Sequence, residues 1–244
     1  MSELLKVQNL SKADILIDIS FEIKEGEMVA VMGPSGSGKS TLLYNVSGMD
    51  DPDSGEVMLK DTMITGLSED EKAELRLKRM GFVFQQMNVL DNLNIIDNIV
   101  LPAIHAEKKH KKKYYDRAGT LMDGFHIGDL AERRVNEVSG GQLQRACICR
   151  SMMLEPEIIF ADEPTGALNQ NAATEVIEAF MKINSEGTTI LMVTHDSRIA
   201  AMCERILYLL DGRIKGELDL GKNTRSDSRD REQKVIRWLT EMGW

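Results

Sequence analysis

The stretch Gly33-Pro34-Ser35-Gly36-Ser37-Gly38-Lys39-Ser40-Thr41 decides the fold. It fits G-x-x-x-x-G-K-[ST], the loop with which nucleotide hydrolases cradle phosphate. Its flanks are those the chemistry needs. Met28-Val-Ala-Val-Met32 is a short apolar run that reads as a buried strand, and Ser40-Thr-Leu-Leu-Tyr-Asn-Val46 opens a helix. Glycines let backbone N–H groups turn inward around phosphate oxygens, and the helix that follows points its positive end at them. In that arrangement Lys39 reaches the β- and γ-phosphates of ATP and the Ser40 hydroxyl ligates Mg²⁺.

Size and composition bound what surrounds the loop. The 244 residues, 42% of them hydrophobic, suit one globular unit of one or two subdomains. No run approaches the roughly 20 apolar residues that cross a bilayer, and Met1-Ser-Glu-Leu-Leu-Lys6 lacks a basic-then-apolar leader pattern. The expectation is a cytosolic chain, held at any membrane by another protein. A net charge of −9 gives no basic surface for nucleic acid, so no nucleic-acid partner is expected. The one basic run, Lys108-Lys-His-Lys-Lys-Lys113, reads as a solvated helix face. Cys147 and Cys149 lie two apart on a predicted helix and point to nearly opposite faces. With Cys203 they read as packing residues in a reducing compartment.

Apolar runs at Leu4–Val7, Ile15–Ile19, Met28–Met32 and Gly55–Lys60, with a turn at Glu25-Gly26-Glu27, predict a small β layer beside the loop. Met80-Gly-Phe-Val-Phe-Gln85 reads as a strand ending in a polar side chain. From about 86 to 155 the pattern turns helical, as an inserted subdomain. Runs at 157–161, 188–193 and 206–210 follow, the first two separated by a helical pattern from Ala172 to Ile183. This alternation predicts a parallel α/β sheet with ligands at the carboxyl ends of its strands. A single domain over 1–217 is expected, then a polar tail from Leu218 to Asp230. Arg231 to Met242 reads as an amphipathic helix with Val235, Trp238, Leu239 and Met242 on one side, docked on the chain's own body.

Two further motifs carry chemistry. Ile158-Ile-Phe-Ala-Asp162-Glu163 is an apolar strand ending in two carboxylates, which packing alone does not explain. Asp162 is placed to hold the Mg²⁺ shell, and Glu163, one residue on, to orient or deprotonate an attacking water. Val138-Ser139-Gly140-Gly141-Gln142 opens an apolar helix with Ser139 as its N-cap, a second exposed helix N-terminus suited to phosphate.

With these motifs in this order, the chain resembles the nucleotide-binding subunits of ATP-binding cassette (ABC) transporters from about Leu4 to Lys215. Val138 stands where the family signature has leucine. The resemblance implies a P-loop NTPase core with an antiparallel β layer and an inserted helical subdomain. It implies that Asp162 and Glu163 are the Walker B aspartate and catalytic glutamate. It also implies that Gln85 senses the γ-phosphate and the metal, and that His195 contacts the γ-phosphate. The Ser139-Gly140-Gly141-Gln142 helix would clamp an ATP held by a second, identical subunit in a head-to-tail homodimer that drives a multi-helix permease from the inner face of the membrane. Two departures stand out. Gly166 and Asn169 replace residues of the usual Ser-Ala-Leu-Asp segment. Ala13-Asp14-Ile15 replaces a longer segment with an adenine-stacking aromatic, a contact worth about 1–3 kcal/mol, so weaker base affinity or selectivity is expected.

Ala161-Asp-Glu-Pro-Thr-Gly-Ala-Leu168, Met192-Val-Thr-His-Asp196 and Val100-Leu-Pro102 are most similar to the lipoprotein-release, macrolide-export and antimicrobial-peptide-resistance branch. Export or removal of peptide antibiotics or lipid-like molecules is the function this implies. The alternative is an ABC ATPase that signals through or assembles a membrane complex without moving a solute. A third reading, a non-hydrolytic regulator, conflicts with the intact Lys39, Asp162, Glu163 and His195.

Overall fold

The computed structural model describes residues 2–223 and 228–244. It divides into two compact units, Met1–Ala73 with Asn184–Trp244, and Glu74–Ile183, so the second unit is inserted in the sequence of the first.

In the first unit, β1 (Glu3–Lys12) and β2 (Leu16–Lys24) form an antiparallel hairpin. β4 (Ser54–Leu59) pairs with the other edge of β1, and β5 (Thr62–Met63) closes the order β2-β1-β4-β5. β2 buries Leu16, Ile19, Phe21 and Ile23 and exposes Glu22 and Lys24, the alternation of a strand with one face in the core. β3 (Met28–Met32) does not join this layer, although sequence adjacency grouped it there. It runs parallel between β8 (Thr189–Val193) and β9 (Arg205–Leu210), with Val31 opposite both Val193 and Leu207. All five of its side chains are buried, so it suits a strand covered on both faces. β10 (Arg213–Asp219) turns back antiparallel on β9 through Asp211 and Gly212, both at positive φ. That backbone matches the turn type favoured by two-residue hairpins.

Helices α1 (Lys39–Val46), α7 (Ser197–Ala200) and α8 (Ser228–Glu241) complete this unit. α8 spans the expected C-terminal helix and packs on the unit's own body. Val235 and Leu239 are buried, the Trp238 ring meets Tyr208 edge-on at 6.1 Å, and Gly216 of β10 leaves room for Met242 and Trp238. Arg231 is buried and donates to the carbonyls of Ala201, Cys203 and Leu220 at 2.7–2.8 Å. The expected polar tail lies partly outside the described residues, at 224–227.

α2 (Glu69–Arg79) leads into the second unit. There β6 (Met80–Phe84) and β7 (Ile158–Asp162) pair in parallel, from Met80 opposite Ile158 to Phe84 opposite Asp162. An Arg79–Glu157 ion pair at 2.5 Å stands at their amino ends, and Phe82 stacks on Phe160 at 5.6 Å. α3 (Ile95–Ala106), α4 (Lys111–Gly124), α5 (Gly140–Ser151) and α6 (Gln170–Ser185) build the rest, with α3 packed on α4 and α5, and α5 on β6. The basic run 108–113 is exposed on a single 3-10 turn and the start of α4. Cys147, Cys149 and Cys203 are buried and carry no disulfide; burial raises all three thiols above their ordinary values. Among the described residues no helix is long and apolar enough to cross a membrane.

Candidate functional site

In the first unit the glycine loop joins the end of β3 to the start of α1. A side chain at Gly33 is impossible, since its Cβ would stand 2.1 Å from the Leu209 carbonyl oxygen. Gly36 and Gly38 take φ of 80° and 98°, which turn the backbone into a concave strip. Gly38 is the N-cap of α1 and supplies no side-chain cap, which leaves the first N–H groups of the helix for an anion. Lys39 is 8% exposed, and its Nζ donates to the carbonyls of Gly33 and Pro34 at 2.9 Å each. A cation is thereby held across the loop. Ser37 Oγ is buried inside it with no hydrogen-bond partner among the described residues, as a loop built to receive phosphate oxygens would leave it. Pro34, Ser35, Gly36 and Ser40 are exposed, and Thr41 is half-buried in the first turn of α1.

His195 follows β8, next to β3, and is exposed. Its backbone is fixed from both sides. Thr194 N–H donates to the Val31 carbonyl at 3.2 Å, the Thr194 hydroxyl accepts from Asp196 N–H at 3.1 Å, and Asp196 caps α7 by accepting from Arg198 N–H at 2.8 Å. Burial works to raise the Asp196 carboxyl, but the Arg198 guanidinium at 2.6 Å and the cap hydrogen bonds outweigh it and hold it below its ordinary 3.8. A depressed carboxyl stabilises the fold above that ordinary value, and the contribution is lost as pH falls through the lower folded value. Asp196→Asn keeps a capping oxygen and loses the charge. Discounted for partial exposure, the expected cost near pH 7 is under about 1 kcal/mol. In thermal melts the difference from wild type should be full above about pH 3.8, shrink as pH falls below it and vanish below the lower folded value. A difference that persists there would rule out the charge as its source.

The β1–β2 turn carries the departure noted at residues 13–15. It closes with Ile15 N–H on the Lys12 carbonyl at 3.0 Å, with Ala13 at φ 45°. Ile15 is 45% exposed, and its backbone lies against Gly38, where a Cβ would be 3.0 Å from the Ile15 carbonyl oxygen. An aliphatic side chain and no ring occupies this turn beside the loop.

In the second unit, Gln85 follows β6 and Asp162 ends β7, so both leave the carboxyl end of the parallel pair. Asp162 is 9% exposed and Gln85 is exposed. Glu163 comes next, at φ 45°, a left-handed conformation that costs a non-glycine residue about 1–3 kcal/mol and recurs at functional sites. Its carbonyl accepts from Gly166 N–H at 3.0 Å, Leu168 N–H donates to the Thr165 carbonyl at 3.0 Å, and Asn169 Oδ1 accepts from Ala172 N–H at 3.0 Å. Asn169 thus caps α6, a role that needs its oxygen and no charge. The side-chain tips of Gln85 and Glu163 both reach the α-carbon of Gly166. A Cβ there would lie 3.0 Å from Gln85 Nε2 and 3.2 Å from Glu163 Oε2.

Ser139 caps α5 in a reciprocal box: its Oγ accepts from Gln142 N–H at 3.3 Å, and Gln142 Oε1 accepts from Ser139 N–H at 2.8 Å. Ser139 and Gly140 are exposed, so this N-terminus is open to an anion. The glycines are dictated by packing. A Cβ on Gly141 would be 2.7 Å from the Cβ of Ala172, and one on Gly140 would be 3.3 Å from Leu168. Buried Gln144 donates to the Phe84 carbonyl at 3.1 Å, which ties α5 to the residue before Gln85. Sequence reasoning missed both Gln144 and the spatial role of Gly166. Gln144 shares a helix with the signature and carries no pattern of its own.

Comparisons with known proteins identify the family of the chain. The sequence model of the ABC transporter family matches residues 16–166. The chain is 39% identical over 222 residues to the lipoprotein-releasing system ATP-binding protein LolD of Aquifex aeolicus, covering 89% of this chain and 99% of that protein. It is 38% identical over 217 residues to the bacitracin export ATP-binding protein BceA of Halalkalibacterium halodurans, covering 88% and 85%. It is 39% identical to the macrolide export ATP-binding/permease protein MacB of Bdellovibrio bacteriovorus, and spans only 35% of that protein's length. Among solved structures, the dimeric ATP-binding cassette MJ0796 bound to ADP and Pi superposes with a TM-score of 0.82 at 35% identity, over 90% of this chain and all of that one.

Proposed function

This chain belongs to the ABC transporter family, and from that premise we propose that it is the ATP-hydrolysing subunit that drives a separate multi-helix permease. In this reading it sits on the cytoplasmic face of the membrane through that permease and removes or exports peptide antibiotics or lipid-like molecules. The observation that carries the proposal is the glycine loop, with Gly36 and Gly38 at positive φ and the Lys39 ammonium held across it. The substrate class is supported by relatives named for lipoprotein release and for bacitracin and macrolide export.

The residues have separate tasks. Lys39 exchanges loop carbonyls for β- and γ-phosphate oxygens, and the N–H groups of Ser35 to Thr41 wrap the same phosphates. Ser40 and Asp162 offer a hydroxyl and a carboxylate, the hard oxygen ligands that suit Mg²⁺ alongside phosphate and water. Mg²⁺ there would neutralise charge developing on the phosphate oxygens. Glu163 orients the attacking water and takes its proton. Gln85 reads the γ-phosphate, and His195 stabilises charge on it. Ser139, Gly140, Gly141 and Gln142 present the α5 N-terminus to the γ-phosphate of an ATP held by a second copy of the chain. ATP then joins two copies, and its hydrolysis releases them.

Affinity purification of the tagged chain from its native membranes in mild detergent tests the partner. A permease with several membrane helices is the expected companion. Recovery of soluble partners alone, under conditions that preserve known transporter complexes, would overturn the transporter reading.

A further inference from the structure

The run Lys108-Lys109-His110-Lys111-Lys112-Lys113 lies in the second unit and places five lysines in six residues of a chain whose net charge is −9. All six residues are exposed, on the 3-10 turn Lys108–His110 and the first turn of α4. None of the five lysines forms an ion pair among the described residues. The carboxylate next to the run, Glu107, is already engaged: it meets His110 Nδ1 at 2.8 Å and accepts from the Tyr114 hydroxyl at 3.1 Å. Helix chemistry does not ask for this arrangement. α4 has no acid in its first turn and no side-chain cap, and it opens instead with three lysines beside the positive end of its dipole. Like charges three and four residues apart in such a turn repel one another. Neither packing nor helix stability therefore accounts for the run. Its six residues advance only about 10 Å along the chain, close to the screening length of about 8–10 Å at 0.1–0.15 M salt, so the five charges act together.

We infer that residues 108–113 form an interaction surface for the anionic headgroups of a phospholipid bilayer. The run holds lysine and no arginine. A hydrated point charge on a flexible stem suits diffuse attraction to a charged plane, whereas a two-pronged grip on a single phosphate or carboxylate would call for arginine. A nucleic acid fits less well, because it needs a broad basic surface and rings on which bases stack. The rings beside the run, Tyr114 and Tyr115, are buried and half-buried, with hydroxyls held by Glu107 and Asp97. The acidic remainder of the chain is repelled by the same plane, which would turn this end toward the lipid. The inference rests on the reading that the chain works at a membrane through a permease, and it adds a second, weaker hold directly on the lipid. Each lysine near an anionic surface is expected to raise partitioning about fivefold.

Sedimentation of the full chain with vesicles tests this, using phosphatidylcholine alone or with about one-third phosphatidylglycerol, at about 0.1 M salt. Partitioning onto the anionic vesicles is expected to exceed that onto neutral ones at least about 10-fold. It should be lost at about 1 M salt, where the screening length falls to about 3 Å. Lys108→Gln, Lys109→Gln, Lys111→Gln, Lys112→Gln and Lys113→Gln together should lower it to the level of neutral vesicles. ATP hydrolysis should not change, and the melting temperature should hold or rise, because the first turn of α4 sheds like charges. The same change at Lys24, Lys78, Lys215, Lys222 and Lys234, five exposed lysines elsewhere in the sequence, is the control and should leave most of the binding. No preference for anionic vesicles, binding that ignores salt, or an equal loss in the control would each overturn the inference. Failure of the underlying reading looks different. A permease that co-purifies with a chain that ignores anionic vesicles overturns the lipid contact alone, whereas vesicle binding by a chain that recovers only soluble partners overturns the transporter reading alone.

Discussion

Replacing Glu163 by Gln is expected to slow ATP turnover by about 10²–10⁴-fold with ATP binding preserved, and to trap an ATP-dependent dimer. The substitution keeps size and shape, so the turn that holds residue 163 at φ 45° is retained through the Gly166 N–H bond to its carbonyl. Only the ability to take a proton is lost. The glutamine amide would still hold water, and binding, which rests on residues 33–41, would be intact. The γ-phosphate then remains, and it is the group that joins the open N-terminus of α5 on one copy to the glycine loop of another. Phosphate release and light scattering with and without ATP measure both effects. A variant that hydrolyses ATP at the wild-type rate, or one that binds ATP and stays monomeric, contradicts the assignment.

Lys39→Ala is expected to weaken ATP binding by about 10- to 100-fold, as loss of a charged hydrogen bond worth about 1.5–3 kcal/mol implies. The side chain acts twice. Its Nζ bridges the Gly33 and Pro34 carbonyls, which holds the loop closed, and it supplies the cation that the phosphates meet. Removing it turns two loop carbonyls toward the triphosphate without a compensating charge. Titration of a fluorescent ATP analogue reads the affinity directly, and an unchanged dissociation constant would exclude the role given to Lys39.

Most of what positions phosphate was legible because it is written in consecutive residues. A loop of glycines between an apolar run and a helix, or two acids at the end of a buried strand, needs no partner elsewhere to be recognised. The box joining Ser139 and Gln142 is equally local. Some local signals were present and unread. Ser68 and Glu71 form the same kind of box at the start of α2, with Glu71 Oε2 accepting from Ser68 N–H at 2.8 Å. That helix is almost wholly charged and buries only Lys72, so hydrophobic periodicity gave no trace of it. Asp211-Gly212 likewise announced the hairpin into β10.

What sequence could not give is proximity between distant residues. Gln85 and Glu163 meet at Gly166 only because β6 and β7 pair in register, Phe84 opposite Asp162. Gly141 is required by Ala172, which arrives on a different helix. The sheet to which β3 belongs was misjudged for the same reason, since its partners lie more than a hundred residues away in the chain. Asn169 shows the converse. Against the usual aspartate it reads as a lost charge, whereas its oxygen keeps the cap that α6 needs.

The central claim is that two copies of this chain hydrolyse ATP between them, and it is tested most directly by phosphate release from Mg·ATP as a function of chain concentration. The account predicts turnover per chain that rises with concentration, requires Mg²⁺ and disappears in Glu163→Gln. Turnover per chain that is constant across concentration, or that survives in Glu163→Gln, would contradict it.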